Sequence, residues 1–254
     1  MVELSELVEG LEKTCLLYWS DPYLRTFQAK IIRLEPDKKD YVYIVLDRTI
    51  FHPKSGGQPS DRGLITGSDF KVEVNKAMLV NNVIVHWGKI LEGGAEGGDV
   101  EGEVDWGWRY LLMRRHTAGH LYDHCLRQIT GKQVETTDSW LGDPCYVGYR
   151  GKKPSVEELR GAEDLENKMI GRGAIVKSGK ISYEELLQIA PEAPNIYRLP
   201  KLDFFRIVTI EGCEPIPCGG THLRDINEIG LFKMKDVLEK EDGFRVYYDV
   251  EGLK

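Results

Sequence analysis

Nowhere in this chain does an apolar run approach the ~20 residues needed to span a bilayer, so no membrane-spanning helix is expected. The opening stretch, Met1-Val-Glu-Leu-Ser-Glu-Leu-Val-Glu-Gly, lacks the basic-then-apolar layout of a secretory signal. Cysteine is scarce: the five residues at 15, 125, 145, 213 and 218 are odd in number and widely scattered. That usage excludes a disulfide framework and fits reduced thiols in a cytoplasm. Positive charge is also short. A net charge of −7 argues against a general polyanion binder, whose affinity comes from neutralising phosphates.

What is present is a globular composition, 41% hydrophobic and 30% charged over 254 residues, enough for one large domain or two ordinary ones. Two short stretches stand out, His116-Thr-Ala-Gly-His120 and Cys218-Gly-Gly-Thr-His222. Each offers two metal-capable side chains separated by three residues, and together they supply a three-His, one-Cys donor set suited to Zn²⁺. Leu111, Leu112, Ala118, Leu121, Tyr122 and Cys125 recur at helical spacing around the first pair. On a helix, His116 and His120 lie one turn apart, with Cβ atoms roughly 5–6 Å from each other. His124 extends the stripe by a further turn and falls outside the motif. The second pair follows Pro215 and Pro217 and contains Gly219-Gly220, the composition of a tight turn. Spacing alone leaves open a simpler reading, an exposed histidine stripe and an unrelated cysteine.

Local charge departs from the global balance. Arg109, Arg114 and Arg115 precede the first pair without an intervening acid, and Lys152, Lys153, Lys168, Arg172, Lys177 and Lys180 follow downstream. Such residues form either a solvated surface or a limited nucleic-acid contact.

Residues 1 to about 14 read as a short amphipathic helix with Leu4, Leu7, Val8 and Leu11 on one side. From Gln28 to about Trp106 the pattern turns to short β-rich runs, beginning with 29–34, 41–46, 70–74 and 82–87, which predict a small barrel or sandwich. Within them lies Phe51-His-Pro-Lys-Ser-Gly-Gly-Gln-Pro-Ser-Asp-Arg-Gly. Gly56 and Gly57 permit close backbone approach by a ligand, although the Gly-Lys-Ser/Thr ending of a Walker loop is missing and an ordinary interstrand loop has the same composition. Beyond the histidine helix, strand-like 145–149, helical 156–170, a helix after Ser182 with Glu185 three residues on, and strands at 204–210, 230–237 and 244–250 predict a mixed α+β second half.

Four stretches taken together carry a resemblance: the Gly-rich 51–63, Val104-Asp-Trp-Gly-Trp-Arg-Tyr-Leu-Leu-Met-Arg-Arg-His-Thr-Ala-Gly-His-Leu, Cys218-Gly-Gly-Thr-His, and Ile229-Gly-Leu-Phe-Lys. In content, order and spacing the chain resembles the freestanding AlaX-type alanyl-tRNA editing proteins, relatives of the editing domain of alanyl-tRNA synthetases, from about Leu16 onward. The resemblance implies an α+β fold: an N-terminal small β-barrel over 1–103 with the Gly-rich loop, then a mixed α+β zinc-binding editing domain over 104–254. It matches the medium-length, two-domain form without the C-terminal segment of the long members. It implies a cytoplasmic, zinc-dependent hydrolase that deacylates mischarged tRNA(Ala), chiefly Ser-tRNA(Ala) and also Gly-tRNA(Ala), with no further protein partner evident.

Carried over by position, the zinc ligands implied are His116, His120, Cys218 and His222. Thr117 and Gln58 are candidate catalytic groups, and Gly56, Gly57, Gln58, Ser60, Arg114 and Arg115 are candidate substrate contacts. Thr221 and the Thr136-Thr137 pair are further hydroxyls that could reach the pocket. There is one departure: the synthetase editing domains usually carry Thr immediately before the second His, where this chain has Gly119. Among other classes, a zinc peptidase fails because Thr117 stands where His-Glu-x-x-His needs its general base. A nucleobase deaminase fails because Thr221 replaces the second Cys of Pro-Cys-x-x-Cys and no His-x-Glu accompanies it. The alternative of a different class is a noncatalytic RNA-binding protein with a structural zinc.

Overall fold

Alternation of apolar and polar residues builds the first half. In a computed structural model describing residues 3–196, 199 and 204–252, it yields β1 (Cys15–Leu16), β2 (Thr26–Pro36), β3 (Tyr41–Leu46), β4 (Arg48–Thr49), β5 (Gly63–Thr66), β6 (Phe70–Val80), β7 (Val83–Gly93) and β8 (Asp99–Val104). Six of these close into an antiparallel barrel in the order β2-β3-β7-β6-β5-β8, sealed where β8 pairs with β2. Its interior is filled by Phe27, Ile44, Leu46, Phe51, Ile65 and Val74, the inward members of the alternating pattern.

The expected N-terminal helix shrinks to α1 (Leu4–Leu7), four residues without a side-chain cap. Gly10 at φ +73° ends any continuation, and Leu7 and Val8 are instead buried against Val45, Val83 and Val85 of the barrel strands. The first two residues of that expected helix lie outside the described set.

The second half is mixed, as its pattern predicts. It contains α2 (Trp106–Thr130), β9 (Thr136–Trp140), β10 (Tyr146–Arg150), α3 (Val156–Arg172), β11 (Val176–Ser182), α4 (Tyr183–Ile189), β12 (Phe204–Ile210), β13 (Ile216–Pro217), β14 (Leu231–Lys240) and β15 (Gly243–Glu251). Four strands form one antiparallel sheet, β14-β15-β10-β9, and three form another, β11-β12-β13. Helices α3 and α4 both open on capping boxes, Ser155 with Glu158 and Ser182 with Glu185, which satisfy otherwise orphaned amides. Tyr122 of α2 stacks on Phe232, which stacks in turn on Tyr248, tying the helix to β14 and β15.

The chain divides into two compact units. One comprises Met1–Ser55 with Pro59–Tyr110; the other comprises Gly56–Gln58 with Leu111–Lys254. The tip of the Gly-rich loop therefore belongs with the second unit. None of the described helices is long and apolar enough to cross a membrane.

Candidate metal centre

Helix α2 places His116 and His120 on consecutive turns, their rings 4.9 Å apart. The loop after β13 brings Cys218 and His222 to the same point, with the His222 ring 4.2 Å from that of His116. One donor atom from each of these four residues lies within 4.8 Å of every other. Cys218 Sγ is 3.3 Å from His116 Nε2 and 3.3 Å from His222 Nε2. Tetrahedral coordination with bonds of about 2.0–2.3 Å requires donor–donor edges of about 3.3–3.7 Å, the length that the two Cys218–His edges already have. His120 Nε2 supplies a second observation, because it is buried without a hydrogen-bond partner. An orphaned ring nitrogen is costly unless something else binds it. The residues present therefore fit a metal ion held by three imidazoles and a thiolate.

Cys218 and His222 are held in the protonation states that a metal requires. Burial alone would raise the Cys218 thiol, but the His116 and His222 imidazoles hold it well below the ordinary cysteine range, in the thiolate form that metals bind. Burial and the nearby His116 push His222 down to about 3, keeping that ring neutral. Burial also works against charge on His120, yet Asp123 and Cys218 bring it up to about 9.

The ring nitrogens facing away from the cluster have partners. His116 Nδ1 lies 2.9 Å from Gln58 Oε1, which also accepts from the Thr221 amide at 3.1 Å, while Gln58 Nε2 donates to Thr221 Oγ1 at 2.9 Å. His222 Nδ1 lies 3.3 Å from Thr117 Oγ1, which accepts from the Leu223 amide at 3.1 Å. Gln58 and Thr117 are fully buried, and their polar atoms serve this internal network. Both candidate catalytic residues thus sit against histidine rings of the cluster. Arg206 of β12 adds a clamp, donating from Nη1 to the carbonyls of Cys218 at 3.0 Å and Gly220 at 2.9 Å. A Cβ at Gly220 would meet His116 Cε1 at 2.2 Å, so the turn needs glycine to pass the ring.

The candidate substrate contacts fare differently. Arg114 is buried and donates to the carbonyls of Ile229 and Glu251; Arg115 is buried and engages Asp249, Asp143 and the Leu141 carbonyl. Both hold the α2–sheet framework. Gly56 is exposed with φ +55°. Gly57, at φ +83°, packs against Ser139 on the side where a Cβ would stand, and its carbonyl accepts from the Leu141 amide. Ser60 belongs to the barrel unit, where its carbonyl accepts from the Trp108 indole at 3.1 Å. Thr136 is buried and donates to the Pro194 carbonyl, whereas Thr137 is exposed.

Three contributors were not singled out in the sequence: Arg206, Asp123 and Tyr248. Asp123 carries a signal, a carboxylate one turn beyond the second ligand. Tyr248 explains the departure at Gly119, because its hydroxyl, bonded to the Arg115 carbonyl at 2.9 Å, lies 2.7 Å from where a Cβ at 119 would sit. The cluster borders a cavity of about 200 Å³ whose wall includes His120 and Asp123, with apolar sides from Ala190, Ala193, Val208 and Ile216.

Comparison with known proteins places these residues in context. Residues 14–108 match the model for class II (A) tRNA synthetases, and 205–246 match that of the threonyl and alanyl tRNA synthetase second additional domain. The chain is 34% identical to the alanyl-tRNA editing protein AlaX-L of Pyrococcus horikoshii over 86% of its own length and 53% of the relative's. It is 31% identical to the alanine–tRNA ligase of Pyrobaculum aerophilum over its full length and 28% of the ligase, and 33% identical to that of Pyrococcus abyssi over 94% and 26%. It thus spans about half of the first relative and about a quarter of the ligases.

Proposed function

Because this chain belongs to the family of AlaX-type alanyl-tRNA editing proteins and the matching part of alanine–tRNA ligases, we propose that it is an aminoacyl-tRNA deacylase. Its substrates are mischarged tRNA(Ala), chiefly Ser-tRNA(Ala) and secondly Gly-tRNA(Ala), met in the cytoplasm. The observation that carries this reading is the convergence of His116, His120, Cys218 and His222 within 4.8 Å, built from the stretches shared with an editing family. The metal is zinc, for which three imidazoles and one thiolate are an ordinary ligand set.

The bond to be cut is the ester between the amino acid and the terminal ribose. When bound, zinc supplies Lewis acidity to such a hydrolysis. The protein's own part is arrangement: Gln58 and Thr117 keep the Nδ1 edges of two rings engaged, and Arg206 holds the carbonyls of the Cys218 turn. The neighbouring cavity, with apolar walls from Ala190, Ala193, Val208 and Ile216 and charged groups at Asp123, Arg127 and Glu214, receives the aminoacyl end. Exposed Lys152, Lys168, Arg172 and Lys177 give the second unit positive groups for a limited phosphate contact despite the net charge of −7. A second hydrolytic sieve is needed because a pocket made for alanine rejects a small hydroxylated relative poorly.

The test is deacylation of Ser-tRNA(Ala) beside Ala-tRNA(Ala), with zinc-loaded protein and a folded Cys218→Ala variant. Loss of Ser with Ala spared, slowed at least ~100-fold in the variant, is expected. Stable tRNA binding without hydrolysis of either ester would instead mark a binding protein whose four donors close a structural site.

A further inference from the structure

The three histidines share one plan: Nε2 turned toward the cluster and Nδ1 toward an outer partner. Those partners differ in charge. His116 faces the neutral amide of Gln58 and His222 the neutral hydroxyl of Thr117. His120 Nδ1 faces the carboxylate of Asp123, whose Oδ2 lies 4.0 Å away. That separation is a charge contact and longer than a hydrogen bond, so what His120 experiences is the field of the carboxylate.

Asp123 is fixed for this task. It is 5% exposed, stands one turn beyond His120 on the rigid α2, and accepts from the Tyr149 hydroxyl at 2.7 Å through Oδ1. Tyr149 is itself immobilised, 2% exposed on β10 and stacked on Phe244 at 5.1 Å. A neighbouring carboxyl, Glu166, is fully buried, and burial together with Asp123 and Glu163 pushes it well above the usual carboxylate range. It therefore stays neutral and adds no competing charge.

We infer that Asp123 is a positioning residue which, held by Tyr149, directs the proton of His120 to Nδ1 and strengthens His120 as a nitrogen donor of the metal centre. A carboxylate behind an imidazole raises its basicity as a ligand and fixes its tautomer, and loss of such a partner lowers metal affinity by about 10–100-fold. The inference rests on reading the cluster as a metal centre, and not on which ester is hydrolysed.

The experiment is chelator competition for zinc with the full chain, comparing wild type with Asp123→Asn, Asp123→Ala, Tyr149→Phe and Glu166→Gln, each checked for folding by far-UV circular dichroism. Asp123→Asn keeps the shape and removes the charge, and about 10–100-fold weaker zinc binding is expected; Asp123→Ala should be at least as weak, and Tyr149→Phe intermediate. Glu166→Gln, equally buried but not facing His120, should remain within about twofold of wild type. In the zinc-loaded wild type the His120 Nδ1 proton should be a resolved, slowly exchanging NMR signal that Asp123→Ala loses, a change that mere loosening of packing would not single out. Wild-type zinc binding with both Asp123 variants within twofold of it would overturn the role of Asp123 alone. A wild type that retains no zinc would overturn the metal reading and this inference with it.

Discussion

His86 of the barrel unit and the clustered histidines of the second unit are all buried or nearly so, and their hydrogen bonding is finished in opposite ways. In the barrel, His86 is 1% exposed and both of its nitrogens have protein partners, Thr49 Oγ1 at 2.9 Å from Nε2 and the Ile44 carbonyl at 3.1 Å from Nδ1. In the second unit, His116, His120 and His222 have outer neighbours at Nδ1 and turn Nε2 inward, where that of His120 is left without a partner. A buried histidine completed by its own protein is architecture. A set completed on one side only is an invitation to an ion. Burial alone would not have separated the two cases; the meeting of four donor atoms within 4.8 Å does.

The comparison breaks first on pH. Burial holds His86 down to about 4 against an ordinary 6.5, so the folded barrel keeps it neutral where the unfolded chain takes up a proton. Its contribution is fully present above pH 6.5 and is lost as pH falls from there toward 4, a difference of roughly 3 kcal/mol. Urea unfolding of the wild type and His86→Gln between pH 7.5 and 4.5 checks this. The wild type should lose stability more steeply than the variant, and equal slopes would mean the barrel does not hold the ring neutral.

A smaller effect sharpens the contrast from the other side. His124 continues the helical stripe of His116 and His120, yet its Nδ1 faces Glu214 at 3.2 Å and it has no place in the cluster. His124→Ala should change stability by less than about 0.5 kcal/mol, the scale of a partly exposed ion pair, and leave zinc stoichiometry unchanged. Metal analysis and thermal unfolding of that variant decide it.

How much of this was legible in the sequence follows from what kind of information each feature needs. The strands and the capping box of Ser182 with Glu185 rest on local periodicity and spacing, and they formed. The helical turn joining His116 to His120 and the glycine-rich turn joining Cys218 to His222 are local geometry too. Arg114 and Arg115, two adjacent arginines on a helix, look in sequence like a basic face. Only the tertiary fold shows one reaching the carbonyls of Ile229, just before β14, and Glu251, at the end of β15, while the other reaches Asp249 and Asp143. The N-terminal helix was overextended because its apolar stripe fits a strand-packed coil equally well once Gly10 turns the chain. The long-range partners were hidden for the same reason: Gln58 sits 58 residues before His116, and Tyr248 fills the space beside Gly119 from 129 residues away in sequence.

The most direct measurement is X-ray absorption at the zinc edge on the full chain loaded with one equivalent of zinc. A shell of three nitrogens and one sulfur, at about 2.0–2.1 Å and 2.3 Å, is predicted from His116, His120, His222 and Cys218. A shell without sulfur, or a protein that does not retain the metal, would contradict it.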